Sequence, residues 1–114
     1  MRKDDLIRLK HMLDAGKEII EFSEGKTRSD LDEDRKLSLS LVHLLEILGE
    51  AASEISEELK IDHPEIPWKQ VIGMRNRLIH GYFDIDLDIV WRTVNDDIPS
   101  LVAKLEKIIE DEDE

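Results

Sequence analysis

No cysteine occurs among the 114 residues. Disulfides and thiolate metal sites are therefore excluded, and a reducing compartment is the natural fit. Aromatic residues make up only 4% of the chain. β-Branched alternation is equally sparse while Leu, Ile, Glu and Lys dominate, so strands are not expected. No stretch approaches the roughly 18–20 apolar residues of a membrane span. The start, Met1-Arg2-Lys3-Asp4-Asp5, offers no apolar core of the kind a signal peptide needs. A soluble cytoplasmic protein is the expectation. Basic charge is also in short supply: 16 Lys and Arg stand against 28 Asp and Glu, a formal charge of −12. That balance argues against non-specific binding of duplex DNA, which gains affinity by laying Lys and Arg along phosphates.

What is present is helical periodicity. Leu6, Leu9, Leu13, Gly16 and Ile20 mark one face of a first helix from about Arg2 to Phe22. Gly25 to Asp30 reads as a turn. A second helix, from about Leu31 to Lys60, carries Leu37, Leu41, Leu44, Leu45, Leu48, Ala52, Ile55 and Leu59 as the apolar stripe of a bundle helix. At ~1.5 Å per residue it would run about 40 Å, more than a two-helix bundle covers. Pro64 and Pro67 stop it. A short third helix follows from Trp68 to about Ile79 with Val71, Ile72 and Leu78 inward, and Gly81 ends or loosens it. Asp84 or Asp86 caps a fourth helix holding Leu87, Val90, Trp91, Val94 and Ile98. Pro99 breaks or kinks that helix, and Asp96 or Asp97 caps a last segment through Leu101, Leu105 and Ile108. The expected fold class is all-α, a four- to five-helix up-and-down bundle in one domain over residues 1–109. Residues 110–114 form an acidic tail, read as a solvated helix end.

The small residues Gly49, Ala51 and Ala52 interrupt the Leu-rich helix and suit close approach of a neighbouring helix, either the third helix or a second protomer. Glu50 among them is expected at a rim or facing an arginine, because an unpaired buried carboxylate is costly.

From Ile66 to Phe83 there is no Asp or Glu, yet Lys69, Arg75 and Arg77 are present. A basic, acid-free run in an acidic chain is where a phosphate is tolerated. Within it, Arg75, Asn76, His80 and Tyr82 fall in eight residues. In a continuous helix Asn76 meets His80 on one face and can hold its imidazole in one tautomer. Arg75 points about 140° away, but its length lets it share an anion with His80. Imidazole for proton transfer and guanidinium for phosphate charge are what metal-free phosphodiester cleavage requires. In RNA the neighbouring 2′-hydroxyl supplies the nucleophile. Other chemistries lack their residues. His43-x-x-Glu46 has the reverse order of a di-iron unit and occurs once. His11, His43, His63 and His80 have no zinc-ligand spacing, and there is no phosphate loop or nucleophile elbow. The competing structural reading makes the same residues a capped helix end with a surface histidine and an arginine paired to an acid.

Arg75-x4-His80-x-Tyr82, with Asn76 after the arginine, resembles the signature of the HEPN superfamily, and specifically its HepT-like toxins. The likeness runs on through Ile47-Leu48-Gly49-Glu50-Ala51-Ala52, Pro64-Glu65-Ile66-Pro67-Trp68, Gly73-Met74, Gly81, Phe83 and Asp97-Ile98-Pro99-Ser100-Leu101. The resemblance implies an all-α homodimer acting as a metal-independent endoribonuclease without cofactor. Arg75 and His80 would be catalytic and Asn76 supporting. Its partner would be a minimal nucleotidyltransferase antitoxin that silences the toxin by transferring AMP to Tyr82. Arg77 and Lys69 are candidate phosphate contacts, and Glu50 a candidate support for the arginine. Two protomers with their third helices side by side would supply two copies of His80, one as base and one as acid. The alternatives are a non-catalytic dimeric module that binds nucleotide or a nucleotidyltransferase, and an interaction-only helical protein.

Overall fold

Two polar side chains interrupt what periodicity alone reads as one long helix. Asp34 accepts the Leu37 N–H at 3.1 Å, and Ser56 accepts the Leu59 N–H at 3.3 Å. Each is an N-cap with extended backbone, so a helix starts after each of them. The computed structural model describes residues 1–80 and 84–112. In chain order it has α1 (Lys3–Ser23), α2 (Arg28–Glu33), α3 (Arg35–Ser53), α4 (Glu57–Asp62), α5 (Trp68–Ile72) and α6 (Met74–Leu78). The strands β1 (Ile79–His80) and β2 (Asp84–Ile85) follow, then α7 (Leu87–Arg92), a π-helical turn (Thr93–Asp97) and α8 (Ile98–Glu112). Of the described residues 81% are helical, an all-α bundle. Among the described residues no helix is long and apolar enough to cross a membrane.

The expected helix from Leu31 to Lys60 is thus three helices. The first break falls at Asp34 and the second at Glu54–Ser56. The second is locked from a distance, because Asp5 of α1 accepts the Ser56 N–H at 3.0 Å and the Ser56 hydroxyl at 2.6 Å. Burial pushes the Asp5 carboxyl up, but these two hydrogen bonds, with Arg2 and Arg8 nearby, outweigh it and hold the group below its ordinary value. The turn before α2 is also shorter than expected: Gly25 takes a φ of +74°, which a residue without Cβ adopts freely. The helix then resumes at Arg28, where the Asp30 carboxylate accepts the Thr27 N–H at 2.6 Å.

α1 packs against α3 and α8, and the three enclose the core. Leu9, Met12, Ile19, Leu41, Leu45, Leu48, Ile98 and Leu105 are fully buried. The buried face of α1 runs Leu9, Met12, Ala15, Gly16, Ile19, while Ile20 is exposed and Leu6 and Leu13 lie at its edge. The stripe turns this way because α8 presses on Gly16: a Cβ there would lie 2.6 Å from a Val102 methyl. The small patch of α3 does the same for α5, since a Cβ on Gly49 would stand 3.0 Å from the Val71 carbonyl oxygen. The third helix, rather than only a second protomer, therefore approaches this patch.

Pro99 does not break the last helix. A proline has no N–H and clashes with the carbonyl four residues back. Here the preceding turn widens to π geometry, with the Ile98 N–H reaching the Thr93 carbonyl. Helical backbone continues from Leu87 to Glu112, so neither Asp96 nor Asp97 caps a new helix, and the acidic residues 110–112 still belong to α8.

Candidate functional site

The short third helix is two pieces. Gly73 separates α5 from α6, and α6 ends at Leu78 rather than near Ile79. The β-branched Ile79 turns extended (φ −121°, ψ 122°) and pairs with Ile85, while His80 pairs with Asp84. The Leu78 carbonyl, left free at the helix end, accepts the Asp86 N–H at 2.8 Å. Among the described residues this two-strand ladder is the one place where the expectation of no strands fails. It was unreadable as a pattern because each strand is two residues long.

The consequence for the site is direct. His80 stands on a strand, so the helical meeting of Asn76 with His80 does not occur, and Asn76 is an exposed residue of α6. What His80 faces instead is Asp86: its Nε2 lies 3.9 Å from Asp86 Oδ2, with 58% of the histidine side chain exposed. The other oxygen of Asp86 is fixed, since Oδ1 accepts the Ile89 N–H at 3.1 Å as the N-cap of α7. Asp86 was legible as a cap but not as a partner of His80, because only the ladder brings them together.

Arg75 has an anchor of its own. Its Nε donates to Glu46 Oε2 of α3 at 3.0 Å, with 61% of the arginine side chain exposed. Such a pair contributes only about 0–1 kcal/mol to stability. Its use is orientation: with Nε held, the outer edge of the guanidinium presents two donors as a fork. The anchoring acid is Glu46 and not Glu50, which lies exposed one turn further along α3. Glu46 and Arg75 border an open groove of ≈ 720 Å³ between α1 and α3, where Glu50, His11 and His43 also line the walls. The apolar part of the groove is Ile7 and Ile47, 46% and 39% exposed.

Arg77, two residues along the same helix, points about 200° away from Arg75 and lines a different hollow beside α8. Lys69 is exposed on α5. Arg75 and Arg77 therefore do not converge, and His80 is bonded to neither. Tyr82 and Gly81 lie outside the described residues.

Residues 12–108 match the family model described as ribonuclease HepT-like. A protein of Thermococcus cleftensis named "Probable ribonuclease HepT" is 44% identical over 95 residues, spanning 80% of this chain and 86% of that protein. A protein of Caldanaerobacter subterraneus subsp. tengcongensis named "Putative RNase TTE0752" is 36% identical over 104 residues, spanning 91% and 93%. No solved structure matches the chain. A family match over residues 12–108, a span that includes Arg75, His80 and the carboxylates of Glu46 and Asp86 facing them, means that the chain belongs to the HepT-like ribonuclease family.

Proposed function

We propose that the protein is a metal-independent endoribonuclease toxin of a type II/VII-like toxin–antitoxin module, working in the cytoplasm as a homodimer with one composite site. The observation that carries this reading is the Arg75 guanidinium, aimed by Glu46 at the edge of a partly apolar groove. Exposed Ile7 and Ile47 beside Ala51 supply an apolar centre, and Asp4, Arg8, Glu50 and Glu54 a rim of both signs. A two-fold interface must complement itself, and a rim of mixed charge permits that. Pairing through α1 and α3 sets the two Arg75 side chains along one seam, in place of third helices lying flat against each other.

In the proposed reaction one His80 accepts the proton of a 2′-hydroxyl as its oxygen attacks phosphorus. The 5′-oxygen leaves and takes a proton from the other His80, giving a 2′,3′-cyclic phosphate. Asp86 faces the imidazole in each half, and the two arginines neutralise charge growing on the phosphoryl oxygens. Ile47→Asp puts a charge into the seam. It is expected to give monomers by light scattering and to lower RNA cleavage at least tenfold, with helical content unchanged. A dimeric, fully active variant would refute the composite site.

For regulation, the partner in this reading is a minimal nucleotidyltransferase antitoxin that transfers AMP to Tyr82. The added bulk and negative charge would repel RNA and occupy the arginines. Incubation with such an enzyme and ATP is expected to add one adenylyl mass to the wild type and none to Tyr82→Phe. A second reading, a non-catalytic dimeric module that binds nucleotide or the nucleotidyltransferase, is favoured by the formal charge of −12, which opposes RNA binding. Absence of any cleavage product with purified protein would decide for it.

A further inference from the structure

The hollow that Arg77 lines has no part in the chemistry above. It is a cleft of ≈ 170 Å³ between α5–α6 on one side and the π turn with the start of α8 on the other. Val71, Met74, Ile98 and Leu101, all buried, form an apolar floor. A second hollow of ≈ 410 Å³ adjoins it, sharing Arg77, Asp96 and Asp97 and adding Arg92. The first holds the volume of about six waters, a space in which a flat heterocycle can lie.

Charge is what makes the place unusual. Two arginines and two aspartates face the paired hollows, with Lys104 at the edge of the first donating to the Glu65 carbonyl, and among the described residues no ion pair joins these arginines and aspartates. An exposed pair would contribute only about 0–1 kcal/mol, so keeping them apart costs little. It leaves carboxylate oxygens to accept N–H groups on one side and guanidinium donors for an anion on the other. A ligand that meets both demands carries a phosphate and a ring with outward N–H donors, and a nucleotide does. Guanine is the common base whose pairing edge presents two adjacent donors, N1–H and N2–H₂, which match the two oxygens of one carboxylate. Adenine and cytosine set a ring nitrogen acceptor beside their amino group, which a carboxylate repels. Uracil offers a single N–H between two carbonyls.

We propose that this cleft is a guanine-binding subsite. The base lies on the Val71, Met74, Ile98 and Leu101 floor, a carboxylate of the Asp96–Asp97 pair accepts from N1–H and N2–H₂, and Arg77 with Arg92 holds the adjoining phosphate. The π turn matters because it carries both aspartates against α6. That helix is five residues long, about 7.5 Å at the usual rise, with Arg75 on one face and this cleft beside another. Arg75 and Arg77 diverge by about 200° around a helix roughly 10–12 Å across with its side chains, so a nucleotide one or two removed from the scissile bond spans the distance. Delivery of the guanine as part of an RNA rests on the ribonuclease reading; binding of a free nucleotide does not.

The test has two arms on the full-length protein. In the first, GMP, IMP, AMP and CMP are titrated by calorimetry. GMP is expected to bind most tightly, with IMP, which lacks only the N2 amino group, about tenfold weaker, as befits one hydrogen bond to a charged acceptor. The double substitution Asp96→Asn with Asp97→Asn, at two exposed positions, is expected to erase the difference between GMP and IMP while the melting temperature holds. Equal binding of GMP and AMP, no binding of GMP, or a preference that survives the double substitution overturns the subsite. In the second arm, oligoribonucleotides with a single guanosine are incubated with the protein. Cutting clustered beside that guanosine in wild type and spread evenly in the double variant supports the proposal. Cutting of wild type indifferent to guanosine overturns it and leaves the ribonuclease reading standing. Selective GMP binding with no RNA cut supports the subsite and removes the ribonuclease reading.

Discussion

His80→Ala is expected to reduce RNA cleavage by about 10²–10⁴-fold, the range a positioned acid–base group supplies. Both halves of the proposed site lose their imidazole at once, so neither the 2′-oxygen nor the leaving 5′-oxygen has a proton partner. Stability should hardly change. The side chain is 58% exposed, and substitutions at such positions usually stay within about 0.5 kcal/mol. The wild-type rate should follow a bell-shaped pH profile, because one imidazole must be neutral while its counterpart is protonated. Asp86→Asn keeps a cap for α7 but withdraws the carboxylate charge that faces His80, and it is expected to lower cleavage with the fold intact. Arg75→Lys tests the fork: it preserves charge but cannot keep an Nε bond to Glu46 while presenting two parallel donors. Gel assays with purified variants over a pH series measure all three. Undiminished cleavage by His80→Ala would end the proposed mechanism.

Trp68→Ala is the substitution expected to cost most in stability, about 3–5 kcal/mol for loss of a large buried aromatic. Set against the usual 5–15 kcal/mol for a whole domain, that endangers the fold. Trp68 is only 8% exposed, and its Nε1 donates to the His63 carbonyl at 2.9 Å. It thereby pins the proline-bounded turn between α4 and α5 to the core. Trp68→Phe keeps most of the packing and loses the hydrogen bond, for an expected cost nearer 1 kcal/mol. Urea unfolding midpoints distinguish the two. Because α5 leads through Gly73 into α6, loosening Trp68 also lets Arg75 drift from Glu46. Cleavage should therefore fall in Trp68→Ala even where the protein remains folded. A Trp68→Ala protein within 1 kcal/mol of wild type would show that the turn is held by something other than this indole.

Much of the fold was legible because helix-forming residues state their own case. The apolar spacing over Leu37–Ala52 and Leu87–Ile98, the prolines at 64 and 67, and the capping role of Asp86 all act within a few residues. The misreadings share one cause. Ser56 reads as a helical residue until Asp5, 51 positions earlier, takes both its N–H and its hydroxyl. Pro99 reads as a breaker until the π turn absorbs its missing N–H. Asn76 and His80 read as helical neighbours until Leu78 gives its carbonyl to Asp86.

The same division runs through the site. Residue types and their local order made Arg75 and His80 candidates, a guanidinium and an imidazole in an acid-free run, while their catalytic roles came from the family resemblance. Which acid each one faces was a matter for the tertiary structure alone. Glu46 lies 29 positions from Arg75, and Asp86 reaches His80 only through a ladder of two-residue strands. Short-range chemistry is written along the chain, whereas the orientation of a charged side chain depends on whatever the packed helices bring within 4 Å of it.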